Sequence, residues 1–100
     1  MNINFTYHSV NASNRLEIHT AQKLEKLFNK YNFIIHADIL FKKENETKPD
    51  KGMICAIGIS TPGPRLYAES SHGNFETSIS NTLIALERQL DRRKSKLKIY

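Results

Sequence analysis

From Asn2 to His8 the chain alternates: Ile3, Phe5 and Tyr7 are apolar and the residues between them are polar. A two-residue period is that of a strand with one buried face. Asn11 to Asn14 reads as a turn, and Ser13 can cap a helix by accepting a hydrogen bond from a first-turn amide. The period then changes. Leu16, Thr20, Leu24, Leu27, Phe28 and Tyr31 fall on one face of a helix ending near Asn32. Phe33 to Lys42 alternates again, with Ile35, Ala37, Ile39 and Phe41 on the inner side, and predicts a second strand. Lys43 to Gly52 is polar, contains Pro49 and reads as a hairpin loop. Met53 to Ser60 predicts a third strand with Met53, Cys55, Ile57 and Ile59 inward. Thr61-Pro62-Gly63-Pro64 is a turn, because Pro sets φ and Gly allows positive φ. Arg65 to Ser71 predicts a short fourth strand with Leu66 and Ala68 inward. Asn74 then caps a long helix whose stripe is Phe75, Ile79, Leu83, Leu86, Leu90 and Leu97.

The order β-α-β-β-β-α predicts an α+β fold of two layers. The first crossover passes through a helix, so its flanking strands should be parallel neighbours. The later strands are joined by short turns and should pair antiparallel. A four-stranded mixed sheet with both helices on one face follows. No linker, repeat or low-complexity segment divides residues 1–100, so a single domain is expected.

Composition sharpens this picture in one place. The net charge is +5, but residues 1–87 carry nine Lys/Arg and nine Asp/Glu. The whole excess lies in the last 13 residues, where Arg88, Arg92, Arg93, Lys94, Lys96 and Lys98 face only Asp91. A local basic block suits a polyanionic partner, with nucleic acid first. Charge alone fits a solvated tail equally well. The lone cysteine, Cys55, sits in an apolar run and reads as a small buried hydrophobe. No stretch is long and apolar enough for a membrane span, and the start lacks a secretion-signal pattern. A cytoplasmic protein with no membrane partner is expected.

Catalytic motifs are weak. His8, His19, His36 and His72 do not form metal-ligand spacings, and one cysteine cannot complete them. His36 reads as an outward or satisfied structural residue. Ser70-Ser71-His72 lacks a nucleophile elbow, and Gly58 and Gly63 form no phosphate-binding loop. No enzyme activity, cofactor, metal or small-molecule substrate is expected.

RNA binding is better supported. Lys23, Lys26 and Lys30 recur at i, i+3, i+7 beside the first helix's stripe, and Arg88, Arg92 and Lys96 at i, i+4, i+8 on the second. Such rows set positive charge against successive phosphates and release counterions. Arg93 lies closer to the core stripe and can reach back across the sheet edge, while Lys94 and Lys98 line another flank. Side-by-side helices would merge the rows. The Lys23 row is also what an ordinary solvated face looks like, with Glu17 and Glu25 nearby. With Phe5, Tyr7 and Phe41 assigned to the core, Tyr67 is the main candidate for an outward aromatic, so structured RNA is favoured over a single-strand stacking platform.

Ser60-Thr61-Pro62-Gly63, then Leu66-Tyr67-Ala68, His72 to Ile79 and Leu86-Glu87-Arg88-Gln89-Leu90 with its basic tail resemble the ribosome hibernation-promoting factors. That family includes ribosome-associated inhibitor A. Leu16 to Leu27, with His19, Lys23 and Lys26, looks like the family's first helix, and the resemblance covers nearly the whole chain. It implies a fold similar to double-stranded RNA-binding domains. It also implies binding in the mRNA and tRNA channel of the small ribosomal subunit, which blocks translation. Lys23, Lys26, Arg88, Arg92 and the basic residues that follow match the family's RNA contacts by position. Asn74 and Glu76 stand where the family usually has an acidic residue and an aromatic, and Ala85 where relatives often carry Lys. Long relatives add a C-terminal dimerisation domain; ending at Tyr100, this chain resembles a short form, expected to be monomeric off the ribosome. The alternative function is a general double-stranded RNA-binding module of the same topology.

Overall fold

The computed structural model describes residues 2–45 and 47–97. Its elements are β1 (Ile3–His8), α1 (Asn14–Lys30), β2 (His36–Lys43), β3 (Met53–Ser60), β4 (Leu66–His72) and α2 (Phe75–Leu97). The strands lie in the order β1-β2-β3-β4, with β1 and β2 parallel and the other pairs antiparallel. The architecture is therefore the α+β arrangement that the periodicity predicts.

Register explains why both helices sit on one face. Phe5 pairs with Ile39, Ile39 with Ile57 and Ile57 with Ala68, so the apolar set of each strand falls on the same side. Against it pack Leu24, Leu27 and Tyr31 of α1 and its C-cap, and Ile79, Leu86 and Leu90 of α2. Phe41 is fully buried at one end, its ring stacked 6.2 Å from Phe5 and edge-on 5.4 Å from Phe75. Cys55 is buried among these residues, and burial pushes its thiol up to about 12, so it is no thiolate at neutral pH.

Local chemistry sets the helix ends. Ser13 Oγ accepts from the Leu16 amide at 3.2 Å, and Asn74 Oδ1 accepts from the Thr77 amide at 2.8 Å. α2 buries more polar side chains than its apolar stripe suggests. Thr82 is fully buried and donates to the Cys55 carbonyl at 3.0 Å, and Ser78 is buried and donates to the Met53 carbonyl. Two small hydroxyl side chains thus tie the first half of α2 closely to β3.

Three sequence expectations need correcting. β2 starts at His36, not Phe33, because the backbone first closes a turn in which the Ile34 amide bonds the Tyr31 carbonyl. Phe33 packs edge-on to Tyr31 instead of entering the sheet, at 6.1 Å between ring centroids. Ile35 precedes the strand and is 60% exposed, although alternation places it inward. Leu83 is half-buried at the margin of the core, whereas Leu86 and Leu90 are its fully buried members. Ile84, outside the apolar stripe of α2, is 53% exposed. Among the described residues no helix is long and apolar enough to cross a membrane.

Candidate nucleic-acid interface

The two helices run side by side in the same direction. Arg15 near the start of α1 pairs with Glu76 near the start of α2 at 3.1 Å, and Lys30 at the end of α1 pairs with Glu87 at 2.5 Å. The layer opposite the sheet is thus a paired-helix surface, and it carries the cationic rows.

The first row lies along the seam. Lys23, Lys26 and Lys30 line a groove of about 270 Å³ between the helices, closed by Leu27, Leu83 and Glu87. Lys26 and Lys30 are exposed and Lys23 is half-buried. The hydrogen bond to Glu87 raises the Lys30 pKa, so this ammonium is charged but locally opposed by a carboxylate. Lys94 joins this side from α2, with its ammonium 5.8 Å from the centre of the Tyr31 ring. The Tyr31 hydroxyl donates to Asp91 at 2.5 Å. Burial, reinforced by that hydrogen bond, pushes the Tyr31 hydroxyl up to about 12.

The second row drifts round α2. At 100° per residue, each i+4 step turns about 40° beyond a full turn, so Arg88, Arg92 and Lys96 cannot share one line. Arg88 is exposed on the outer face. Arg92 and Lys96 have moved to the opposite flank from α1. There, with Gln89, Arg93 and Leu66, they line a pocket of about 190 Å³ that contains no carboxylate. Gln89 fixes this flank to β4 by donating to the Tyr67 carbonyl at 2.9 Å. The rows therefore occupy the two sides of α2, with Arg88 between them, rather than merging into one strip.

Arg93 takes a place of its own. Its guanidinium donates through Nη1 to Thr61 Oγ1 and, at 2.8 Å, to the Pro62 carbonyl, and through Nη2 to the Pro64 carbonyl at 2.9 Å. It reaches back from α2 onto the Thr61–Pro64 turn that joins β3 and β4. Lys98 lies outside the described residues.

The uncovered face of the sheet holds a polar cluster that periodicity did not reveal. Asp38 accepts from His36 Nε2 at 2.7 Å, Arg65 Nη2 at 2.8 Å and Asn4 Nδ2 at 3.3 Å. The Arg65 and His36 hydrogen bonds hold the Asp38 carboxyl below its ordinary pKa. Arg65 lies flat across Gly58, where a Cβ would come within 2.2 Å of its guanidinium. A glycine in mid-strand is the one sequence signal of such a close approach. His36 is thus half-buried and partnered through Nε2, while its Nδ1 is buried without a hydrogen-bond partner. A more voluminous recess than either cationic pocket, about 490 Å³, is lined by Arg15, Leu16, Ile18, His19, Gln22 and Glu76 at the opposite end of the helices from the cationic block. Its one cation facing one carboxylate gives it no attraction for a polyanion, so volume is a poorer guide here than charge.

Residues 3–98 match the family model described as Sigma 54 modulation protein / S30EA ribosomal protein. Two solved structures share the fold. A ribosomal subunit interface protein from Coxiella burnetii superposes with a TM-score of 0.80 at 23% identity, covering 95% of this chain and 99% of that one. The N-terminal domain of Protein Y from Thermus thermophilus superposes with a TM-score of 0.76 at 19% identity, covering 92% of this chain and 98% of that one.

Proposed function

This chain belongs to the Sigma 54 modulation protein / S30EA ribosomal protein family, and we propose that it is a ribosome hibernation factor. In this reading it binds ribosomal RNA in the mRNA and tRNA channel of the small ribosomal subunit and blocks translation by occupancy. It acts in the cytoplasm, as a monomer off the ribosome, with no cofactor and no bond made or broken. The carrying observation is the paired-helix layer with cations on both flanks of α2, one of them around a pocket whose lining holds no carboxylate. The printed name of the Coxiella burnetii structure, a ribosomal subunit interface protein, supports the same partner.

The physical logic is simple. Phosphates at several positions are met by cations held on rigid helices, and affinity comes from the counterions they displace. Arg88 and Arg92 add planar donors that can grip a phosphate by two hydrogen bonds. Lys23 and Lys26 extend the footprint to α1. Nothing in this arrangement reads base edges, so specificity rests on the shape of the folded RNA and the positions of its phosphates.

The test is cosedimentation with purified small subunits over a range of salt, beside cell-free translation with counted ribosomes. Binding should weaken steeply with salt, and inhibition should saturate near one protein per ribosome and be relieved by excess messenger and initiator tRNA. Equal affinity for a plain RNA duplex would favour a general duplex-binding module. Inhibition far below one protein per ribosome would mean turnover, and so an enzyme.

A further inference from the structure

Arg93 sits inside the basic block, yet its guanidinium faces the fold. Three acceptors on one four-residue turn, Thr61 Oγ1 and the carbonyls of Pro62 and Pro64, converge on Nη1 and Nη2. The turn is shaped to receive it. Gly63 has φ +97°, and a Cβ there would come within 3.1 Å of Arg93 Nη1. Pro62 and Pro64 fix their own φ, which holds the bend that turns their carbonyls towards the guanidinium. A planar fork is needed, because a lysine ammonium cannot span acceptors presented on both sides of a bend.

The consequence reaches the neighbouring cations. Arg93 and Leu66 both line the pocket that holds Arg92 and Lys96, and Leu66 begins the strand that leaves the turn. We infer that Arg93 is a positioning residue: it staples the Thr61–Pro64 turn to the end of α2, so that Arg92 and Lys96 present their charges to RNA phosphates against a fixed wall. This inference rests on the RNA-binding reading above and removes Arg93 itself from the phosphate contacts. It also divides the six cations of the block by role, with Arg93 acting through its neighbours.

Arg93→Lys separates the two roles because it keeps the charge and loses the fork. A direct phosphate contact would keep its charge and its counterion release in Arg93→Lys and lose only the second hydrogen bond, so Arg93→Lys would then bind clearly better than Arg93→Ala. A staple does not survive the change, so Arg93→Lys should weaken binding to small subunits about as much as Arg93→Ala. Thr61→Val attacks the same staple from the turn and should add little to Arg93→Lys. A double-mutant cycle on affinity supplies the readout that general loss of stability would not move. The penalty of Arg92→Ala should shrink in the Arg93→Lys background, because Arg92 is no longer held in place. Full retention of affinity by Arg93→Lys, or strict additivity with Arg92→Ala, would overturn the inference. If the unaltered protein fails to bind small subunits, the functional reading falls by itself. The staple is then still read from the backbone amide shifts of Thr61, Gly63, Arg65 and Leu66, which must move in Arg93→Lys for it to stand.

Discussion

The two flanks of α2 carry similar numbers of cations and offer them differently. On the α1 side Lys30 is bound to Glu87, Lys94 lies over Tyr31, and Asp91 accepts the Tyr31 hydroxyl. On the β4 side Arg92 and Lys96 line a pocket without a carboxylate. The α1 flank is a packed seam whose charges also hold two helices together, while the β4 flank presents charge that no carboxylate in its pocket opposes. A count of lysines and arginines therefore overstates the first and understates the second. If RNA binding follows free charge, the β4 flank and Arg88 should dominate.

The largest expected effect tests that directly. Arg88→Ala, Arg92→Ala and Lys96→Ala combined should cut affinity for small subunits severely and lower the salt slope by about three units, about one per lost phosphate contact. All three residues are exposed, so stability should change by no more than about 0.5 kcal/mol for each. A folded triple variant with native affinity would shift the interface to Lys23 and Lys26. Leu86→Ala supplies the contrast, since Leu86 is fully buried between α2 and the sheet. It should cost about 2–5 kcal/mol in denaturant unfolding, with binding lost only in proportion to the unfolded fraction. Leu83, at the margin of the core, should cost less on the same change.

A smaller effect sharpens the comparison within the seam. Because Glu87 opposes Lys30, Lys30→Ala should weaken RNA binding less than Lys26→Ala, and Glu87→Gln should strengthen it. The shifts should be modest, because water screens an exposed pair. Equal losses for the two lysines in titrations against small subunits would show that the pair does not govern their availability. The smallest effect concerns Tyr31. Its folded pKa, about 12, exceeds the ordinary 10, so the fold favours the neutral hydroxyl. The associated stability is complete below pH 10 and is lost as pH rises from 10 towards 12. Tyr31→Phe should remove that alkaline slope and cost about 0.5–1.5 kcal/mol at neutral pH through the lost bond to Asp91. An unchanged slope in urea titrations across that window would assign it to other groups.

Much of the fold was legible because each element has a strict local period. Alternation identified β1, β3 and the core half of β2, and the 3.6-residue stripe identified both helices with their caps, Ser13 and Asn74. Where periodicity erred, another local rule had won. At Phe33 and Ile34 a turn from Tyr31 displaced the start of the strand, which left Ile35 exposed. Thr82 and Ser78 fit the core because each hydroxyl lies within reach of a β3 carbonyl and of a carbonyl one helical turn before it, and a stripe drawn from apolar residues cannot show an acceptor.

For function, the sequence by itself determined the family likeness, the sign of the charge and its concentration beyond residue 87. Charge and residue type belong to the chain whatever its shape. Only the tertiary structure decided which cations remain unopposed, because that depends on partners distant in sequence. Glu87 meets Lys30 across the helix pair, Tyr31 meets Asp91, and Arg93 meets a turn about thirty residues earlier. The Asp38 cluster also needed the assembled sheet, since its donors come from β1, β2 and the residue just before β4. Coulomb and hydrogen-bond energies depend on distances of a few ångströms, and those distances exist only once the chain has folded.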